Sequence, residues 1–287
     1  MTRLQRFPIH AQVFTGETLR VEALDQGVMR LVLDRPAVRN AFNARMIREL
    51  SQALAELAAN PDPERMRLLL LEGEGTVFCA GADLAYMKEQ AGAEPAANRD
   101  NALELGRMFS RLGRFPVPVV SHVQGAAIGG GLGLAACSDF VLADPMAVFA
   151  TSEVTLGLVP AVIGPYIVRK LGLAHAAPLM LTGRRIQARE ALVSGLVQRL
   201  VEPTESSEEA LSRVLREFLR AGPGAARATK ELLARILPLP GPELLEYTAG
   251  AIAAARASRE GQAGLQSFFA KTPPAWTGPN PLPGIQA

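Results

Sequence analysis

VQGAAIGGGLGLAACSDFVLA, residues 123–143, is the stretch of sequence that restricts the fold most strongly. It starts at the end of the apolar run Val117–Val123, crosses three consecutive glycines and continues into the small residues Gly131–Cys137. The apolar run predicts a strand, the glycines predict a tight turn, and the small residues predict a closely packed helix. Phe140–Ala143 predicts a second short strand, so the stretch indicates an α/β fold.

Strands and helices alternate on both sides of this stretch. Predicted strands are Leu19–Leu24 and Val28–Leu33, joined by the turn Asp25-Gln26-Gly27 as a hairpin, then Arg67–Glu72 and Val148–Ala150. Predicted helices are Asn43–Ala59, Asn98–Leu112, Ile163–Leu171 and Ala188–Ser194. After about Glu202 only helices are predicted, at Ser206–Arg220, Ala225–Leu237 and Glu243–Arg259. We therefore predict an N-terminal extension at 1–16, a core with the active site at 17–204, and a helical module with an extended tail at 205–287.

Composition excludes several classes of protein. A net charge of +2 over 287 residues leaves no basic surface of the kind that nucleic-acid binding requires. The histidines His10, His122 and His175 are far apart and lack cysteine partners at ligand spacing, so no metal site is predicted. His122 lies among apolar strand residues and is interpreted as a core histidine. Cys79 and Cys137 suit a reducing compartment. With no secretory signal and no run of 18 apolar residues, we expect a cytoplasmic protein that does not span a membrane.

The three consecutive glycines could carry chemistry. At the start of a helix they leave backbone amides exposed to bind an anion, or a negative charge that develops during a reaction. Close packing of the helix on a strand is the alternative. A third interpretation is dinucleotide binding, because Gly131, Gly133 and Ala136 fit the G-x-G-x-x-A fingerprint and Glu153 lies 20 residues beyond Gly133.

Two further segments could contribute to a site. In Val77–Leu84, the sequence Ala80-Gly81-Ala82 allows a backbone to approach a ligand closely, and Asp83 is placed to cap a helix that begins at Leu84. A simple strand-turn-helix connection is equally consistent with that segment. Glu153 is the one acidic residue of an otherwise apolar stretch, where a raised pKa would let it act as an acid or base; a helix cap or an exposed loop residue is the alternative.

Taken together, six segments resemble the enoyl-CoA hydratase/isomerase (crotonase) superfamily in order and spacing, over roughly residues 17–275. They are LVLDRPAVRNAFNARMIREL, VFCAGADL, VQGAAIGGGLGLAACSDFVLA, SEVTLGLVPAVIGPYIVRKLG, LTGRRIQAREALVSGLVQRLV and FFAKTPPAW. The resemblance implies an α/β spiral of ββα units with a C-terminal helical oligomerisation module that forms trimers or dimers of trimers. It also implies an acyl-CoA substrate with no separate cofactor, and it makes dinucleotide binding remote.

The resemblance assigns roles to individual residues. The backbone amides of Ala82 and Gly130 match the oxyanion hole, the pair of donors that holds the thioester oxygen, and Glu153 matches one of the two glutamates of the common hydratases. Further residues that match substrate-binding or CoA-binding positions are Phe78, Cys79 and Ala80 on the adenine side, Lys271 and more weakly Arg39 for CoA phosphates, and Asp83, Leu84, Gly129 and Gly133 around the hole.

The chain departs from the common hydratases at Gly133, where their other glutamate would stand. The closest resemblance, carried above all by the segment SEVTLGLVPAVIGPY, is to bacterial hydratases of methylglutaconyl-CoA and related glutaconyl-CoA esters. Their substrate carries a second carboxylate, for which Lys88, beside Tyr86, is the nearest candidate cation. Three alternatives stay open: an isomerase with a single glutamate, a dehydratase of polyketide β-branching that acts on a carrier protein, and a thioester-binding protein without catalysis.

Overall fold

The computed structural model of the chain describes residues 7–59, 66–236 and 242–272. The strands are β1 (Ile9–Thr15), β2 (Leu19–Leu24), β3 (Val28–Leu33), β4 (Leu68–Gly73), β5 (Val119–Val123), β6 (Ala126–Ile128), β7 (Phe140–Ala143), β8 (Val148–Ala150), β9 (Ile186–Gln187) and β10 (Arg199–Leu200). The helices are α1 (Ala44–Ala59), α2 (Leu84–Ala91), α3 (Pro95–Gly113), α4 (Gly130–Cys137), α5 (Gly164–Thr182), α6 (Ala188–Val193), α7 (Ser207–Leu219), α8 (Pro223–Ile236), α9 (Pro242–Ala257) and α10 (Arg259–Ala270).

Two sheets organise the fold. The larger has the order β1-β2-β3-β4-β5-β7-β10, with β1 to β3 antiparallel and the pairs from β3 to β10 parallel. The smaller has the order β6-β8-β9, and Cys79 bridges to Ala127 of β6 beside it. Successive turns of the chain place one strand in each sheet and then a helix, as in β5-β6-α4 and β7-β8-α5. This arrangement confirms the predicted α/β spiral, and helices follow it at the C-terminus.

Apolar side chains fill both faces of the larger sheet. Leu69 and Leu71 of β4 face a core shared with α1, α3 and α4, while Leu68 and Leu70 face a second cluster shared with α7. A parallel strand buried on both faces needs a continuous apolar run rather than alternation, and Leu68–Leu71 supplies that run. None of the helices in the described ranges has the length and apolar composition needed to cross a membrane.

The structure differs from the sequence predictions at both ends. Part of the predicted extension 1–16 is strand β1, which pairs with β2 at the edge of the larger sheet. Its side chains are mostly exposed, so the sequence there lacks an apolar pattern. The predicted helix Glu243–Arg259 ends at Ala257, because Ser258 caps a separate helix, α10, by accepting from the amide of Gly261. The predicted extended tail lies outside the described residues beyond Thr272.

A chain of ion pairs crosses the larger sheet and includes His122 of β5. Its ring nitrogens lie 3.4 Å from Glu72 Oε1 and 3.0 Å from Asp144 Oδ1, and Arg30 donates to Glu72 over 2.6 Å. Burial opposes a charge on the imidazole, but the two carboxylates outweigh it and raise the pKa of His122 to about 9. The sequence interpretation of His122 as a satisfied core histidine agrees with these contacts.

We expect His122 to make stability fall in alkaline solution. A pKa raised from 6.5 to about 9 stabilises the folded state fully below pH 6.5 and loses that contribution as pH rises towards 9. The shift corresponds to about 3 kcal/mol of unfolding free energy. Urea unfolding at pH 6 and at pH 9.5 measures this contribution. Between the two pH values wild type should lose more unfolding free energy than His122→Gln. The control His175→Gln, at an exposed position, should lose as much as wild type. Equal pH dependence of wild type and His122→Gln would contradict the prediction.

Candidate active site

The segment 79–83 is held by backbone hydrogen bonds on two sides. Cys79 donates to Ala126 O and accepts from Ile128 N, each over 3.0 Å, which joins the segment to β6. On the other side Phe42 N donates to Gly81 O over 2.7 Å, and Phe42 O accepts from Asp83 N over 2.8 Å. The intervening residue, Ala82, is therefore fixed between two elements that are far apart in sequence.

Glycines allow this segment to lie directly against the start of α4. Gly81 has φ +93°, and a Cβ there would lie 3.0 Å from Ile128 O. Gly131 is helical, but a Cβ there would lie only 2.5 Å from Cys79 O. Side chains at these positions would push the two backbones apart. The close spacing between segment 79–83 and the start of α4 therefore requires glycine, which has no side chain, at positions 81 and 131.

The amides of Ala82 and Gly130 are free donors. Among the described residues neither N–H donates to a protein acceptor, whereas the neighbouring Gly129 N donates to Ala150 O over 2.9 Å. Gly130 is the first residue of α4, so its amide also carries the positive end of the helix dipole. Two fixed, unpaired amides can stabilise an oxygen that becomes negatively charged.

Glu153 lies beside these amides. It begins a short 3-10 turn, Glu153–Leu156, that follows β8 and is closed by Gly157 in the left-handed conformation. A Cβ on Gly129 would lie 3.4 Å from Glu153 Oε1, so the carboxyl group lies against that glycine. Its Oε2 is buried without a hydrogen-bond partner among the described residues. Burial raises the pKa of Glu153 to about 7, so the group can give or take a proton near neutral pH.

Apolar side chains surround Gly133, the position that the family resemblance assigns to the other glutamate of the common hydratases. A Cβ on Gly133 would lie 2.5 Å from Ile163 Cγ2 and 2.9 Å from Phe109 Cε1. The ring of Phe42 packs against the neighbouring Gly130, since a Cβ on Gly130 would lie 2.9 Å from Phe42 Cε2. Gly133 thus has no room for a side chain, and among the described residues Glu153 is the carboxyl group that lies against the start of α4.

We expect Gly133→Glu to destabilise the protein rather than restore a second catalytic carboxylate. The new side chain would overlap Ile163 and Phe109, and overpacking of this kind costs about 1–3 kcal/mol before the burial of a charge is added. Thermal unfolding measures the loss. Gly250→Glu in α9 is the matched control, because a Cβ there meets nothing within 4 Å. An unchanged midpoint together with faster hydration in Gly133→Glu would contradict the prediction.

The other predicted residues lie around segment 79–83. Phe78 and Cys79 are fully buried, so their side chains do not face a ligand, and burial raises the pKa of the Cys79 thiol to about 12. Asp83 caps α2, accepting from Ala85 N over 2.9 Å, and pairs with Arg35 over 2.9 Å. Arg35 was not singled out from the sequence, because the residue it pairs with is 48 positions away.

The predicted cations all lie on exposed positions. Arg39 has φ +54° and accepts, through its carbonyl, from the amide of Ala80 over 3.0 Å. Lys88 lies on the outer face of α2, as does Leu84 near its start. Lys271 ends α10, also with a left-handed backbone. Of the three cations, the described hydrogen bonds tie only the backbone of Arg39 to segment 79–83.

The C-terminal helices cover the site. Helix α10 contacts both the turn that carries Glu153 and helix α2, while α9 packs along α3. The family resemblance implied that the C-terminal helices form an oligomerisation module, and the sequence gave no sign of α10 or of this contact. The contact forms because α9 packs on α3 and α10 then returns to the core of the same chain.

Comparison with known proteins identifies relatives over most of the chain. A family profile described as Enoyl-CoA hydratase/isomerase matches residues 23–279. A putative enoyl-CoA hydratase of Thermus thermophilus is 38% identical over 245 residues, covering 84% of this chain and 94% of the relative. A trans-2-decenoyl-[acyl-carrier-protein] isomerase of Streptococcus mutans is 32% identical over 212 residues, covering 73% and 79%. The crystal structure of an enoyl-CoA hydratase from Shewanella pealeana superposes with a TM-score of 0.72 at 39% identity, covering 91% of this chain and 96% of that one.

Proposed function

The chain belongs to the enoyl-CoA hydratase/isomerase family, and from that premise we propose that it is a hydratase that adds water reversibly across C2=C3 of a 2,3-enoyl-CoA. The observation that carries the proposal is the carboxyl group of Glu153, which has a pKa of about 7 and lies beside two unpaired amides. The addition of water to a conjugated thioester requires a proton donor close to a site that stabilises an anion.

The amides of Ala82 and Gly130 stabilise the intermediate. Both would donate to the thioester oxygen, which gains negative charge as water attacks C3 and the electron pair of the double bond moves towards that oxygen. Because the donors are fixed before the reaction, they favour the enolate over the uncharged substrate. Removing one such donor typically costs about 2.7–4 kcal/mol of transition-state stabilisation.

Glu153 supplies the proton. In its protonated form it gives the proton to C2 of the enolate, while the water oxygen becomes the hydroxyl group on C3. The proton that the water loses returns to the Glu153 carboxylate, so the enzyme ends the cycle unchanged. With glycine at 133, the water is positioned by backbone groups, by Glu153 itself or by a second carboxylate on the substrate.

We further propose that the substrate is a branched glutaconyl-CoA such as 3-methylglutaconyl-CoA. The support is the similarity of residues 152–168 to hydratases of that class, together with Gly133 in place of a glutamate. A dicarboxylic substrate would bring its own carboxylate to the side of the site where the protein has none. The carrier-protein dehydratase of polyketide β-branching shares these features and remains an alternative, as does a thioester-binding protein without turnover.

A double-bond isomerase is the second candidate, and the apolar wall at Gly133 favours it. An isomerase needs one carboxyl group, which removes a proton at one carbon and returns it at another, and it needs no positioned water. Ile163 and Phe109 would keep water from the place where hydratases hold it. The Streptococcus mutans relative is named as an isomerase, which is consistent with this alternative.

Product analysis by mass spectrometry separates these functions. The protein is incubated with 3-methylglutaconyl-CoA, crotonyl-CoA and a 3-enoyl-CoA. Gain of one water by methylglutaconyl-CoA supports the branched hydratase, and gain by crotonyl-CoA alone supports a hydratase of another substrate class. Conversion of the 3-enoyl ester without a mass change identifies an isomerase. Tight binding of all three esters without any conversion would overturn both catalytic functions.

A further inference from the structure

Polar side chains from three helices meet beside the candidate active site. Tyr86 and Gln90 come from α2, Asn98 and Asn101 from α3, and Arg256 from the last turn of α9, and together they form the α2–α3–α9 cluster. Tyr86 donates to Asn101 Oδ1 over 2.6 Å, and Arg256 Nη1 donates to Asn98 Oδ1 over 3.5 Å. Asn98 is 1% exposed and Tyr86 is 6% exposed, so the cluster is an interior feature rather than a solvated surface.

Arg256 brings a positive charge into this cluster without an anion. Among the described side chains no carboxylate forms an ion pair with it, and Glu89 and Glu104, which lie near Tyr86, do not reach it. Burial lowers the pKa of Arg256, because its charge is desolvated and the neighbouring Tyr86 compensates only in part. Arg256 is only partly exposed, and a cation partly removed from water is stabilised by an anionic partner, which none of the described side chains supplies.

Gln90 is a second polar side chain of the cluster with an unpaired atom. It is 9% exposed, and its Oε1 is buried without a hydrogen-bond partner among the described residues. Buried polar atoms normally have a partner, and an orphaned amide calls for an explanation. An amide can rotate to present its Nε2 donors instead, so Gln90 can donate to a ligand oxygen that enters between α2 and α9.

The cluster lies close to the segment that carries Ala82. Tyr86 is in the first turn of α2, which begins two residues after Ala82. Helix α10, which follows directly after Arg256, contacts both α2 and the turn of Glu153. At its start Gln262 donates to the carbonyls of Ala91 and Arg256, each over 2.8 Å, which ties the ends of α2 and α9 together.

We propose that Arg256, with Tyr86 and Gln90 beside it, binds the distal carboxylate of a dicarboxylic enoyl thioester; this inference rests on the hydratase function proposed above. The planar guanidinium fork matches a carboxylate with two parallel hydrogen bonds. The bound carboxylate supplies the missing negative charge and fixes the far end of the acyl group. Lys88, the cation predicted from the sequence, lies on the outer face of the same helix and has no described contact with the cluster.

A structural role is the competing explanation for Arg256. Its side chain joins α9 to Asn98 of α3, and a cation in the last turn of a helix also interacts favourably with the helix dipole. Arg99 offers a matched control, because it joins the same two helices through an ion pair with Glu246 and lies on the outside, 45% exposed. Its replacement removes a tie between α3 and α9 without touching the cluster.

The experiment measures the binding of glutaryl-CoA and butyryl-CoA by isothermal titration calorimetry. These saturated esters do not react and differ in the distal carboxylate. Wild type should bind glutaryl-CoA more tightly. Arg256→Gln should weaken the binding of glutaryl-CoA about 30- to 100-fold and the binding of butyryl-CoA less than about 3-fold. A loss of this size is expected when one partner of a buried charged pair is removed. Arg256→Lys should recover part of the loss, and Arg99→Gln should change neither affinity.

Several outcomes would overturn the proposal. Equal losses for both esters in Arg256→Gln would indicate a structural role, and selectivity lost in Lys88→Ala instead would assign the carboxylate to Lys88. Turnover separates this proposal from the hydratase function. If wild type hydrates crotonyl-CoA but does not prefer glutaryl-CoA, the hydratase function is supported and the carboxylate site is rejected. Selective binding without any hydration supports the carboxylate site and rejects the hydratase.

Discussion

Replacement of Glu153 by glutamine is expected to lower kcat for hydration by about 10³- to 10⁴-fold, the upper part of the range for a general acid. The amide has nearly the same shape, but it has no proton to give to C2. The wild-type group has a pKa of about 7, and the proposed mechanism uses its protonated form. The hydration rate of wild type should therefore fall as pH rises through 7, because the acid is then lost.

The same substitution should stabilise the fold in alkaline solution. A carboxyl group whose pKa is raised from 4.5 to about 7 by burial destabilises the folded state as pH rises above 4.5, and the amide removes that penalty. Glu153→Gln should therefore unfold at a higher urea concentration than wild type at pH 8. Glu190→Gln, at an exposed residue paired with Arg184, is the control and should keep full activity. A Glu153→Gln protein with more than a tenth of wild-type kcat would contradict the assignment.

Gly81→Ala is expected to have the second largest effect, a fall of about 10²- to 10³-fold in kcat, comparable to the loss of one oxyanion donor. The backbone of Gly81 has φ +93°, which a residue with a side chain rarely adopts, and the added Cβ would lie 3.0 Å from Ile128 O. Relief of that contact moves Ala82, and with it one of the two amides. The loss should therefore appear in kcat more than in KM.

Gly92→Ala provides the matched control for that change. Gly92 ends α2 with φ −93°, and a Cβ there would make only an ordinary contact, 3.8 Å from Glu89 O. Steady-state kinetics of both variants, with circular dichroism to verify folding, measure the difference. Equal kcat values for Gly81→Ala and wild type would show that the position of the Ala82 amide does not limit the reaction.

Local patterns in the sequence predicted most of the central fold. The predicted strands Phe140–Ala143 and Val148–Ala150 coincide with β7 and β8, because short apolar runs between turn residues have few other interpretations. Strand β1 was not predicted, since an edge strand with exposed side chains carries no apolar pattern. Strands β9 and β10 have two residues each and form only because partners from other parts of the chain lie beside them.

In the candidate site, too, local motifs could be recognised in the sequence and long-range contacts could not. Ala82, Gly130 and Glu153 were recognised because each lies in a segment with its own motif. The wall at Gly133 could not be predicted, since it depends on Ile163, which is 30 residues further along the chain. The pairing of Asp83 with Arg35 depends likewise on distant packing. Contacts of this range cannot be recognised in the sequence, so sequence reasoning named the candidate groups without describing the side chains around them.

The contact of α10 with the turn of Glu153 also has a consequence for biosynthesis. A ribosome that has made residues 1–236 has already supplied both amides and Glu153, but not the helices that close over them. Domains generally fold from the N-terminus during translation, so the nascent protein carries an open, solvated pocket until its last segment emerges. The candidate site therefore gains the contact with α10 only after residues 259–270 have been translated.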